Sequence, residues 1–105
     1  MRLSPDRILG SLAETSEHNA RALWLLLRVV KAGGEAVWDE LVDEYAELRG
    51  WDRETARKRL EDAYLLLQRK GIVRKRRKSL FRKGKRKVYV ELTPSARALL
   101  LHICT

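Results

Sequence analysis

The chain has few of the residues that build cross-linked, metal-bound or membrane-spanning proteins. Its 105 residues include one cysteine, Cys104, and two histidines, His18 and His102, which are far apart in the sequence. A lone cysteine excludes an internal disulfide, and this spacing of histidine and cysteine matches no zinc site. The apolar run at residues 23–27 is too short to span a bilayer, and the first residues lack a cleavable signal pattern. We therefore expect a cytoplasmic protein with no metal and no membrane partner.

The sequence also lacks the arrangements that catalysis needs. It has no glycine-rich phosphate loop, its one thiol lies next to the last residue, and the carboxylates at residues 35–47 have no paired base. We expect neither enzymatic activity nor a cofactor. Heat-labile residue types are depleted as well, because asparagine, glutamine, methionine and cysteine each occur once. This composition is typical of thermophilic proteins.

Negative charge is absent where positive charge is densest. Residues 69–87, called here the basic segment, hold twelve Lys or Arg among nineteen residues and no Asp or Glu. The formal net charge of the chain is +9, and it is uneven: residues 1–50 hold six basic against nine acidic residues, whereas residues 51–105 hold seventeen against five. Like charges at this density repel each other unless solvent or a polyanion neutralises them. The pattern favours nucleic acid as the partner.

Apolar residues recur at helical spacing through much of the chain, whose length allows one domain with one core. The spacing predicts helices over residues 4–13, 16–32, 35–47 and 52–70, the last of them capped by Asp52. Acidic residues fill the exposed face of the helix at 35–47, and this face would repel DNA. The predicted buried stripe of the helix at 52–70 consists of Ala56, Leu60, Ala63, Tyr64 and Leu67.

The period of the apolar pattern changes after Gly71. Val88, Val90 and Leu92 alternate with other residues, which is the two-residue repeat of a strand with one buried face. Residues 72–78 are the expected partner strand, and the glycine turn at residues 82–85 would join the two strands. Residues 72–92 therefore predict a basic β-hairpin, after which Pro94 opens a last helix.

Two segments give the chain a resemblance to a known family. They read LLLQRKGIVRKRRK at residues 65–78 and KVYVELTPSARALL at residues 87–100. With the order of helices and hairpin, they resemble the winged helix-turn-helix DNA-binding domains of MarR-like, ArsR-like and PadR-like prokaryotic regulators. The resemblance implies a mainly α fold with a β-hairpin: three core helices, a two-stranded wing and terminal helices. It divides the single domain, residues 1–105, into an N-terminal helix at 1–17, a winged-helix core at 18–92 and a C-terminal helix at 93–105.

The same resemblance implies where DNA would bind. The recognition helix at residues 52–70 would enter the major groove, and the wing at residues 72–92 would contact the DNA backbone and the minor groove. Arginine in such a helix can bond to guanine O6 and N7 together. The implied contact residues in the helix are Arg53, Thr55, Arg57 and Lys58. Those in the wing are Arg74, Arg76, Arg77, Lys78, Arg82, Lys83, Lys85, Arg86 and Lys87.

From these features we expect a nucleoid-associated protein that binds double-stranded DNA, most simply as a transcription regulator. Three alternatives stay open. The dense charge of the wing favours a sequence-independent architectural protein. Winged helices also serve as protein-docking modules, although a field of lysines offers few apolar anchors. RNA binding would use exposed aromatic residues, for which Phe81 and Tyr89 are the candidates.

The two terminal helices carry more apolar residues than a three-helix core needs, and this excess predicts a homodimer. The expected interface residues are Leu9, Leu12, Leu99, Leu100, Leu101 and Ile103. In the alternative interpretation, both helices cover the core of their own monomer.

Overall fold

The computed structural model describes residues 17–79 and 86–100. This part of the chain is mainly helical, with four helices and a small antiparallel sheet. In chain order the elements are α1 (Glu17–Lys31), β1 (Glu35–Val37), α2 (Trp38–Arg49), α3 (Arg53–Arg69), β2 (Val73–Ser79), β3 (Arg86–Leu92) and α4 (Pro94–Leu100). The predicted helix at 4–13 and the predicted turn at 82–85 lie outside the described residues.

The prediction of a helix over residues 35–47 was wrong at both ends. Residues 35–37 form β1, which pairs antiparallel with β3 from Glu35 opposite Glu91 to Val37 opposite Tyr89, and α2 ends at Arg49. Gly34, with φ +99°, directs the chain onto the sheet, and its carbonyl accepts a hydrogen bond from Leu92 N at 2.8 Å. The sheet therefore has three strands in the order β1-β3-β2, instead of the two strands expected for the wing.

A short turn separates α2 from α3. Gly50 ends α2 in the left-handed conformation, with φ +67°, which glycine adopts without steric cost. Asp52 then caps α3, because its carboxylate accepts a hydrogen bond from Thr55 N at 3.1 Å. The start of α3 therefore lies beside α2, where Arg53 contacts Asp39 and Asp43.

A single core lies between the helices and one face of the sheet. The stripe predicted for α3 is confirmed, since all five of its residues are buried. They pack with Leu25 and Val29 of α1, Leu41 of α2 and Val90 of β3, which are almost fully excluded from solvent. This packing fixes one face of α3 inward and leaves its charged face outside.

Candidate nucleic-acid interface

The charged face of α3 carries two arginines that already have carboxylate partners. Arg53 donates from Nε to Asp43 at 2.8 Å and from Nη2 to Asp39 at 3.1 Å, so it is tied to α2. Arg57 bonds to Glu54 one turn earlier in α3. The hydrogen bonds with Arg57 lower the pKa of the Glu54 carboxyl, and those with the two aspartates raise the pKa of Arg53. Both pairs are exposed, so each exchanges readily with solvent or a ligand.

The remaining two predicted contact residues of α3 differ from each other. Thr55 serves the helix cap, because its hydroxyl donates to Asp52 Oδ1 at 2.6 Å. This bond is the largest of the contacts that lower the pKa of Asp52. Lys58 is exposed and makes no ion pair with another described residue. Lys58 is therefore the cation of this group with the least internal compensation.

Lys75 of β2 is partly buried and makes contacts with both neighbouring helices. Its Nζ lies 2.6 Å from Glu61 Oε2, and it lies 4.1 Å from the ring centre of Trp38 and 4.4 Å from that of Tyr64. Its backbone N–H donates to the Tyr64 hydroxyl at 2.9 Å, and burial raises the pKa of that hydroxyl. The contacts join β2 to α2 and α3, so this basic residue fastens the hairpin to the helices.

The hairpin runs back along α3. The turn after α3 brings Ile72 N within 3.0 Å of Leu67 O, and three residues later Lys75 touches α3 at Glu61. β2 therefore proceeds from the C-terminal half of α3 towards its N-terminal half. Arg77 lies two positions further along β2, on the same side of the strand as Lys75. It is exposed and makes no ion pair with any described residue.

On the other side of the sheet, two predicted contact residues share one buried carboxylate. Arg74 Nε lies 3.6 Å and Arg76 Nη1 lies 3.8 Å from Oε1 of Glu91. The Glu91 residue is only 9% exposed, and Oε1 accepts no hydrogen bond from any described residue. At these distances the arginines keep their N–H donors free for other acceptors.

Basic residues occupy neighbouring register positions at the end of the hairpin. The register pairs Lys78 with Lys87 and Ser79 with Arg86 across β2 and β3. Lys87 is exposed and has no ion-pair partner among the described residues. The predicted contacts Arg82, Lys83 and Lys85 lie outside the described residues.

The arginines of α1 and α2 are compensated by carboxylates. Arg21 and Arg49 both pair with Glu17, at 3.6 and 3.1 Å, and Arg28 pairs with Glu44 at 2.7 Å. These three are all the arginines of α1 and α2. Arg77 and Lys87 of the hairpin, by contrast, have no ion-pair partner among the described residues.

The predicted dimer residues fall into two groups. Leu100 is buried in the core of its own chain, and Leu99 is half-buried on α4. Leu100 therefore belongs to the inner side of α4, and Leu99 is the described residue that a partner could reach. The others lie outside the described residues: Leu9, Leu12, Leu101 and Ile103.

Sequence reasoning missed the acidic partners of these cations. The pair of Glu54 and Arg57 has the three-residue spacing of helical neighbours, so the sequence contained that signal. Asp39 and Asp43 share one face of α2 by the same rule, but nothing in their spacing indicates that Arg53 of another helix lies opposite them. The placement of α2 against α3 supplies that information.

The part of the chain that the structure describes offers neither a membrane span nor a metal site. Residues 17–79 and 86–100 contain no helix with the length and apolar character to cross a membrane. The same residues contain no group of three histidine, cysteine or acidic side chains that could hold a metal ion. Comparison of the chain with protein-family models, with curated proteins and with solved structures gave no match.

Proposed function

We propose that the chain is a winged helix-turn-helix domain that binds double-stranded DNA through α3 and the hairpin of β2 and β3, most simply as a transcription regulator. The observation that carries the proposal is the distribution of compensated charge. Lys58, Arg77 and Lys87 have no ion-pair partner among the described residues, whereas the arginines of α1 and α2 are all paired. A surface that keeps cations unpaired beside a protruding hairpin suits a row of phosphates.

The architecture supports duplex DNA over a flat anionic surface. Helix α3 presents its charged face next to α2 across a short turn, and β2 runs alongside α3 with Arg77 on the same side of the strand as Lys75. A helix and an adjoining hairpin offer two projections, which fit one groove and the neighbouring backbone of a duplex. The Lys75 contacts fasten these projections to each other.

One observation favours a second candidate, a sequence-independent architectural protein. The two arginines of α3 best suited to guanine, Arg53 and Arg57, both have carboxylate partners. The unpaired Arg77 and Lys87 lie on the hairpin, where phosphate contact carries no base information. Selection of bound duplexes from a random pool separates the two candidates, because a regulator yields a motif and an architectural protein yields none.

The salt dependence of duplex binding tests the proposal directly. If about six basic groups each neutralise a phosphate, log K should fall against log salt with a slope near −5, which lowers affinity roughly a thousandfold between about 50 and 200 mM salt. Replacing Arg77 and Lys87 together by alanine should flatten the slope by up to about two units. Fluorescence anisotropy with a labelled duplex measures both quantities.

The matched control removes the same charge at the other end of the sheet. Lys31 and Arg97 are exposed, make no ion pair with a described residue, and lie near the Gly33–Gly34 turn beside the last residue of β3. The double alanine variant of these two residues should keep the wild-type slope. An equal loss in both variants contradicts the proposed interface, and tighter binding to single strands or RNA than to the duplex contradicts the proposed ligand.

A further inference from the structure

Arg53 opens α3, and its guanidinium is shared between two carboxylates of α2. Asp43 Oδ1 accepts from Nε at 2.8 Å and Asp39 Oδ1 accepts from Nη2 at 3.1 Å. Asp39 and Asp43 are four residues apart, so they lie on one face of α2. The three side chains remain 53% (Arg53), 73% (Asp39) and 62% (Asp43) exposed, and a ligand at the start of α3 would reach all of them.

This arrangement treats a phosphate and a base edge differently. A phosphate that approaches Arg53 brings negative charge within reach of two carboxylates, and it must compete with two charge-assisted hydrogen bonds. The O6 and N7 atoms of guanine accept from arginine without carrying a formal charge. The carboxylates therefore oppose phosphate contact by Arg53 more strongly than they oppose base contact.

From this geometry we propose that Asp39 and Asp43 are specificity-determining residues, which hold Arg53 away from the DNA backbone and reserve it for a base edge. The inference rests on the proposed function, since it assumes that α3 meets duplex DNA. It assigns a role to the acidic face of α2, which otherwise only repels the ligand. Binding to arbitrary duplexes is weakened, and discrimination between duplexes increases.

A matched pair of variants isolates the effect from net charge. The variant D39N/D43N removes both carboxylates that contact Arg53. The control E40Q/E47Q removes two exposed carboxylates of the same helix that make no ion pair with another described residue. Both variants change the net charge by the same amount, so long-range attraction to DNA rises equally in each.

The experiment compares two duplexes of equal length, one selected from a random pool and one scrambled. For D39N/D43N we expect affinity for the scrambled duplex to rise more than affinity for the selected duplex. The ratio of selected to scrambled affinity should therefore fall about fivefold or more, because one arginine–guanine contact supplies discrimination of this size. The salt slope on the scrambled duplex should steepen by about 0.9, which corresponds to one added phosphate contact. For E40Q/E47Q the ratio should stay at the wild-type value.

A third variant separates an effect on Arg53 from a change in the packing of α2 caused by D39N/D43N. In an R53A background, D39N/D43N should no longer change the ratio, because the residue on which the carboxylates act is gone. Equal ratios for D39N/D43N and E40Q/E47Q overturn the inference and leave DNA binding intact. A random pool that yields no preferred duplex also overturns the inference and leaves DNA binding intact. A wild-type protein that binds no duplex overturns the proposed function itself.

Discussion

The side chain of Asp52 determines how α3 begins and gives the helix a pH-sensitive end. Its carboxylate accepts from the Thr55 hydroxyl and from the Thr55 backbone N–H, and these bonds lower its pKa below the ordinary value of 3.8. A carboxyl whose pKa is lower in the folded than in the unfolded state stabilises the fold above its unfolded pKa. That contribution is lost as the pH falls through the lower, folded value.

We therefore expect Asp52→Ala to lower the melting temperature at neutral pH, because the first turn of α3 loses its cap. The difference from the wild type should persist down to about pH 3.8 and shrink as the pH falls further. Thermal unfolding followed by circular dichroism between neutral pH and pH 2 measures it. Asp62→Ala, an exposed change later in α3, is the control without a cap role. A difference that stays constant through the acid range would contradict the expectation.

The ion pairs of α3 show which side-chain contacts can be predicted from the sequence. Glu54 and Arg57 are close in the chain, and helical spacing alone brings them together. Arg53 meets Asp39 and Asp43 across a turn, so that contact depends on the angle between two helices. Local patterns determine the first kind of contact, whereas packing determines the second.

The hairpin is fastened to the helices by one lysine. Replacing Lys75 by methionine keeps an apolar stem but removes the ion pair with Glu61 and the cation–π contacts with Trp38 and Tyr64. We expect the free energy of unfolding to fall by about 1 to 3 kcal/mol, from the loss of a charge-assisted hydrogen bond and these ring contacts.

Lys87→Met is the matched control, because it makes the same substitution at an exposed lysine of β3. Its free energy of unfolding, measured by urea denaturation, should stay near the wild-type value, whereas its salt slope on duplex DNA should flatten. Lys75→Met should instead keep most of the salt slope at temperatures where it is folded. If Lys87→Met lowers the free energy of unfolding and Lys75→Met instead flattens the salt slope, the assignment of Lys75 as a fastening residue is wrong.

Among the elements, β1 is the one that the sequence pattern did not predict. Val37, Trp38 and Leu41 continue a helical spacing across the true boundary, so the apolar pattern extends the helix too far back. Three residues are too few to show an alternating pattern of their own. Their strand conformation depends on the edge of β3, which is far away in the sequence. The longer elements α3 and β3 carried enough periodic residues to be predicted.

The assembly of the whole chain remains a prediction. We expect a homodimer through the outer side of α4 and the terminal segments, so sedimentation should give twice the chain mass of 12.2 kDa. Leu99→Lys should produce a monomer with an unchanged helical spectrum, because Leu99 is only half-buried in its own chain. Leu48→Lys, at a leucine of α2 that is 61% exposed, should leave the mass unchanged.

A wild-type mass of 12.2 kDa, measured at micromolar concentration, would contradict the predicted homodimer. If the dimer forms, its two α3 helices should lie about 34 Å apart, one turn of DNA, so that both reach the same side of a duplex. A selected motif with two half-sites at that spacing would be the matching observation on DNA.

The central position of β3 has a consequence for synthesis of the protein. β1 and β2 do not pair with each other, and both depend on a strand that follows them in the chain. A nascent chain that has not yet reached residues 86–92 therefore exposes two unpaired strands, one of which carries part of the basic segment. The contacts of β1 with β3 form late, because these strands are far apart in sequence and closing the long loop costs chain entropy before any pairing compensates it. We infer that α1, α2 and α3 gather before the sheet exists, and that the hairpin acquires its shape only when β3 leaves the ribosome.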